Sequence, residues 1–162
     1  MENRSIEIKW GIIFTLAMLL WMFVVRLLGF HGEFIEKHDV YTSFFAIVAI
    51  AIYLLALRDK RNNYYKGSMS WKEGFFAGLV LTLVIVILTP LSQYLVSRYI
   101  SPEFFPNIIR YSVEKGEMTR EQALEYFSLK NYIILSAVWA LITGIITAAI
   151  TALIMRKKKQ TT

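Results

Sequence analysis

Residues 70–90 read SWKEGFFAGLVLTLVIVILTP, a polar start followed by an unbroken apolar run. Ser70 and Glu73 stand three residues apart in the pattern of a capping box. The Ser70 hydroxyl can accept the Glu73 N–H and the Glu73 carboxylate can accept that of Ser70, so a helix starts here, in water or among headgroups. From Gly74 onward no Asp, Glu, Lys, Arg or His occurs until Arg98. At a rise of 1.5 Å per residue a helix over 71–99 is about 43 Å long, more than a hydrocarbon core of about 30 Å. It must therefore tilt, bend or project. Pro90 is the expected bend, since it removes one backbone bond and crowds the Val86 carbonyl, and the Thr89 and Ser92 hydroxyls stand where freed groups can be re-satisfied.

Working outward, three more apolar stretches cover 10–30, 40–57 and 132–155. Each is long enough to span, given that about 20 helical residues cross a bilayer. None alternates with period 2 as a membrane β-strand would, and in lipid the backbone must satisfy its own hydrogen bonds, so all four stretches are expected to be transmembrane helices. Composition agrees. Of 162 residues 56% are hydrophobic and 19% charged, against about 45–50% and about 25% in soluble proteins, and the mean hydropathy is +0.48. These values exclude a soluble globular domain and a disordered chain, because water does not solvate such windows. The sequence holds no Cys, which removes disulfides, thiolate chemistry and Cys-ligated metals together. A signal peptide is the other reading of the first stretch. Glu2 and Glu7 beside Arg4 and Lys9, with no small-x-small cleavage site after the apolar run, favour a retained helix.

Lys and Arg placement sets the expected orientation. The N-terminal segment (Arg4, Lys9), the connection between spans two and three (Arg58, Lys60, Arg61, Lys66, Lys72) and the tail (Arg156, Lys157, Lys158, Lys159) fall on one side by helix count. Together they hold 11 basic residues against 4 acidic ones (Glu2, Glu7, Asp59, Glu73), while the rest of the chain holds 7 basic and 8 acidic. Both termini are expected in the cytoplasm, with an inner-membrane location. The net charge of +6 reads as attraction to anionic headgroups and implies no nucleic acid.

The connection over 101–129 is not a simple loop. Ser101-Pro102 has the form of an N-cap followed by Pro at the first helical position, and Phe104, Phe105, Ile108, Ile109 and Val113 then share one helical face. Gly116 ends that helix. Thr119-Arg120-Glu121-Gln122 opens a second with its own capping box. The expected fold is an all-α membrane protein, one domain over 1–162, with four transmembrane helices and an extracytoplasmic amphipathic helical hairpin between the third and fourth. Its aromatic face would lie on the headgroups or the bundle mouth.

Ser101-Pro102-Glu103-Phe104 after a long third span, Lys115 to Ala123, the Gly67 to Phe75 entry to that span, and a fourth span with Gly144 and a Lys-rich end together resemble a small bacterial inner-membrane family known as domain of unknown function 4199. The resemblance covers most of the chain. It implies a four-helix membrane protein typical of Bacteroidota and brings no established activity, so no catalytic residues are carried over.

Within the fourth span Ser136, Ala140, Gly144, Ala148 and Ala152 recur every fourth residue, beside Thr143, Thr147 and Thr151. Small residues at that spacing let helix backbones approach closely in lipid. Gly74 and Gly78 form the matching Gly-x-x-x-Gly of the third span, which is expected to pair with the fourth. Arg26 is the one ionisable residue inside a span. Three readings stay open for it: snorkelling to phosphate, pairing with an outer-loop acid, or binding an anion together with Arg98 as a basic rim. The loop 31–39 collects His31, His38, Glu33, Glu36 and Asp39, donor types that suit a divalent ion, but at a spacing that matches no standard site and with Lys37 between them. No Asp, Glu, Lys or His stands near the middle of a span, and no nucleophile–base constellation is present. The expectation is a non-enzymatic accessory or scaffold subunit of a membrane complex, with no metal or cofactor, whose partners are membrane lipids and a membrane protein or further copies of itself. The alternative is binding or translocation of a lipid-linked phosphate at the outer face through Arg26 and Arg98.

Overall fold

The computed structural model describes residues 4–157. Its long elements are all helices, joined by short turns: α1 (Ser5–Leu27), α2 (His38–Ser43), α3 (Phe45–Asp59), α4 (Trp71–Leu95), α5 (Phe104–Glu114), α6 (Arg120–Tyr126) and α7 (Leu129–Met155). Four helical stretches, Ser5–Leu27, Ile35–Tyr64, Trp71–Ile100 and Leu129–Met155, are long and apolar enough to cross a membrane. Glu2, Lys158 and Lys159, which entered the charge count, lie outside the described residues.

Local chemistry sets most of the boundaries. The capping box at α4 is complete, with the Ser70 N–H donating to Glu73 Oε2 at 2.7 Å and the Glu73 N–H to Ser70 Oγ at 3.3 Å. The one at α6 is likewise complete, between Thr119 and Gln122. The first span starts at Ser5 and stops at Leu27, displaced from the expected 10–30. Its end is a Schellman motif, in which Gly29 at φ +84° lets its own N–H reach the Arg26 carbonyl and the Phe30 N–H reach that of Val25. Gly116, at φ +70°, closes α5 in the same way onto Val113 and Ser112.

Three details differ from the sequence reading. The second span is a short helix and a long one, α2 and α3, followed by a π turn over Lys60–Tyr64. Ser101-Pro102 does not open α5. The Ser101 N–H instead donates to the Val96 carbonyl at 2.7 Å, which binds Ser101 into the π turn Val96–Ile100, and α5 begins at Phe104. Pro90 lies inside an uninterrupted α4, and the nearby hydroxyls serve other carbonyls than Val86: Thr89 donates to Ile85, and Ser92 to Leu88 and Thr89.

The four long helices pack in the cyclic order α1, α4, α7, α3, with α4 against α7 as the most extensive contact. Small residues explain that contact. A methyl group placed on Gly78 would lie 2.6 Å from Ala148 Cβ, and one on Gly74 3.2 Å from Ala152 Cβ. Gly144 meets Thr82 and reaches across the bundle toward Tyr53, with a methyl there falling 2.4 Å from Thr82 Cγ2 and 3.0 Å from Tyr53 Oη. Tyr53 and Thr82 hydrogen-bond at 2.8 Å in this centre. The core around them comprises Ala56, Leu81, Ile85 and Ala148, with Ala140 packed at its margin. Close approach, and not side-chain bulk, makes the central seam.

Candidate functional site

The two ends of the bundle are built differently. At the end that carries Ser5 and Met155, α1 and α3 are joined by charge. Lys60 Nζ lies 2.9 Å from Glu7 Oε1, with both side chains buried, and Arg4 approaches the same carboxylate at 3.6 Å. Lys60 also sits 3.9 Å from the centroid of the Tyr64 ring. Beside this pair, Asp59 accepts from Lys9, from Trp10 Nε1 at 2.7 Å and from Asn63 Nδ2 at 2.6 Å. Met69 and Lys157 exchange backbone hydrogen bonds at 3.0 and 2.8 Å, tying the entry of α4 to the exit of α7. In the sequence Glu7 and Lys60 enter only as flanking charges that set the expected orientation. Nothing local marks their burial, which follows from α1 starting before its apolar stretch and the π turn Lys60–Tyr64 continuing past α3 until these side chains face each other.

At the opposite end α5 lies over the 30–39 segment, and α6 packs beside it against α7. Phe104 is buried and contacts both imidazoles, its ring 5.1 Å from that of His31 and 4.6 Å from that of His38, and the two imidazoles are 5.0 Å apart. Asn107 of α5 donates to the His31 carbonyl at 2.9 Å. Phe105 and Phe127 pack on Tyr132 of α7. The amphipathic face expected of the connection is thus turned inward, and Glu114, Glu117 and Glu121 are exposed. Burial, together with His38 and the Arg26 guanidinium, pushes the His31 imidazole down to about 4, against a weaker opposite pull from Glu103. Neither His31 nitrogen has a hydrogen-bond partner among the described residues, nor does the buried Ser101 hydroxyl.

No hydrogen bond or ion pair among the described residues links the surroundings of Arg26 to Arg98. Arg26 Nη2 bonds Glu103 Oε1 at 3.0 Å, an acid that precedes α5, so of the three readings the structure displays the ion pair. A backbone hydrogen bond and the Arg26 charge hold the Glu103 carboxyl below the usual range. Arg98 is exposed, with no ion-pair partner among the described residues. The loop donors do not converge either, since no three His, Asp or Glu side chains among the described residues come together as a metal-binding group.

Between α5–α6 and the bundle lies a crevice of about 530 Å³. One wall is Glu36, His38 and Asp39, the roof is Phe104, Ile108 and Tyr111, and the floor runs down α7 through Tyr132, Leu135 and Trp139. The sequence signal for a crevice beneath the connection was the polar outer part of the third span, Gln93, Tyr94 and Ser97, and none of these three residues lines it.

Comparison with known proteins places the chain in a family and assigns it no reaction. The family model described as protein of unknown function (DUF4199) matches residues 9–157, most of the chain, and the chain belongs to that family. No curated protein and no solved structure matches it.

Proposed function

We propose that this member of the family is an inner-membrane protein with both termini in the cytoplasm, acting as a non-enzymatic accessory or scaffold subunit of a membrane complex, with a membrane protein or further copies of itself as partner. One observation carries the reading. The charges buried among the described residues, Glu7 and Lys60, face each other and hold α1 to α3. The pair ties two helices together, and the exposed apolar residues of the spans, among them Leu16, Leu20, Ile87 and Trp139, are left for lipid or a partner. The orientation rests on the basic excess of the flanking segments, 11 against 4. The lipid-phosphate alternative gains no comparable support, because the Arg26 guanidinium is already bonded to Glu103.

Purification of the full chain in mild detergent tests the proposal. A stoichiometric protein partner or a discrete homo-oligomer is expected, and a monomer that retains only a stoichiometric lipid phosphate would overturn it. For orientation, a reporter fused after Thr162 should be active on the cytoplasmic side, and activity confined to the external side refutes the topology.

A further inference from the structure

We propose that the end of the bundle carrying Ser5 and Met155 holds a specific site for the headgroup of an anionic phospholipid, formed by Arg61, Lys66, Arg156 and Lys157 where α7 ends. The site goes beyond the role proposed above and does not depend on it, since a headgroup can sit there with or without a protein partner and in either leaflet. Its charge is what remains after the acids of this end are used. Glu7 is taken up by Lys60 and Arg4, Asp59 by Lys9, and Glu73 by the capping box with Ser70. Arg58, Arg61, Lys66, Lys72, Arg156 and Lys157 are in no ion pair among the described residues.

The fold gathers four of these cations from separate segments. The Arg61 guanidinium donates to the Met155 carbonyl at 3.1 Å, which sets it beside Arg156. The Gly67 N–H donates to the Arg61 carbonyl at 2.9 Å, which returns the chain at Lys66 to the same place, and the backbone exchange between Met69 and Lys157 ties in the end of α7. Lys66, Arg156 and Lys157 are exposed, and Arg61 is half-buried. Arg61 caps the carbonyl end of α7 and offsets the negative potential there, which leaves the charge of the other three for a ligand.

The surroundings select a lipid. Trp71 and Tyr64, 38% and 36% exposed, stand at the same end, and amphipathic rings of this kind settle at the headgroup level. Ile146, Ile150 and Ile154 recur every fourth residue, all more than half exposed, and form an apolar column that runs to the end of α7. A phosphate among the cations with acyl chains along that column is the geometry of a bound phospholipid, whereas a free anion or an acidic peptide leaves the column unused. Basic groups that meet at helix ends are known to recognise anionic headgroups.

Native mass spectrometry of the full chain in mild detergent tests this, with phosphatidylglycerol, phosphatidylcholine, inorganic phosphate and penta-glutamate as probes. Phosphatidylglycerol is expected to bind saturably and at least about tenfold more tightly than each of the other three. Each basic side chain near an anionic headgroup contributes about fivefold, so K66Q/R156Q/K157Q should weaken phosphatidylglycerol binding by at least about tenfold. R110Q/K115Q/R120Q removes the same charge from exposed positions at the opposite end and should bind as the parent does. Lys157→Gln alone, which keeps the backbone bridge to Met69, should weaken binding a few-fold and serves if the triple variant fails to fold. No saturable phosphatidylglycerol binding, another probe bound as tightly, unchanged binding by the variants of this end, or an equal loss in R110Q/K115Q/R120Q overturns the proposal.

Discussion

Replacing Lys60 by Met should destabilise the bundle more than any exposed charge change, and the reason lies in what it leaves behind. The ammonium is fully buried, 2.9 Å from a Glu7 carboxylate that is 3% exposed. At that distance the gross attraction is about 6 kcal/mol for an effective dielectric of about 20. Much of it is offset by the cost of removing both ions from water, so the pair itself adds little net stability. Deleting one partner is different, because an uncompensated buried charge remains, at a cost of about 3–5 kcal/mol. Arg4, 3.6 Å from the same carboxylate, compensates in part and favours the lower end. With about 2–4 °C per kcal/mol for a chain of this size, Lys60→Met should lower the melting temperature in mild detergent by roughly 10 °C. The E7Q/K60M double variant removes the orphan charge and should recover most of that loss. A fall below about 2 °C for Lys60→Met, or a double variant no better than the single one, would refute the claim that these charges are buried against each other.

Gly144→Leu should also lower the melting temperature, by more than the about 1–3 kcal/mol typical of overpacking, since even a methyl group there falls 2.4 Å from Thr82; Ile146→Leu, at an exposed position of the same helix, is the control and should change nothing. A pH effect follows from His31, whose imidazole is held near 4 against about 6.5 in a solvated state. A lowered folded value means stability that is complete above about 6.5 and lost as pH falls toward 4, up to about 3 kcal/mol, so amides 105–112, corrected for intrinsic rates, should exchange faster at pH 5 than at pH 7, and the difference should shrink in His31→Gln. Equal protection at both values would show that α5 does not rest on a neutral imidazole. Glu103→Gln should cost less than about 1 kcal/mol in thermal unfolding, because both partners of its ion pair with Arg26 are more than a third exposed.

The bundle and the crevice differ in how far they could be read in advance. Both capping boxes involve groups within four residues of each other, so Ser70–Glu73 and Thr119–Gln122 were legible from spacing alone. The seam of Gly74 and Gly78 against Ala152 and Ala148 was legible as well, since a small-residue period on two consecutive spans has few other uses in lipid. Ser101-Pro102 misled because two helix signals compete there. The local pattern favours an N-cap, but the Ser101 hydroxyl accepts no backbone N–H among the described residues, the Ser101 N–H is held by the Val96 carbonyl in the preceding π turn, and the helix starts only at Phe104.

Four apolar spans, a helical connection with its apolar face marked, and the asymmetry of basic residues could all be read from the residues alone, because each depends on length, period or composition within a short window. Tertiary structure alone decided which charges are solvated. Glu7 and Lys60 are 53 positions apart, and only the packing of α1 on α3 turns two polar flanks into a buried pair. Phe104 likewise reads as one position on an amphipathic helix until α5 folds back over a segment some 70 residues earlier and seals His31 and His38 beneath it. Burial of a polar group is a property of what surrounds it in three dimensions, and no local window carries that information.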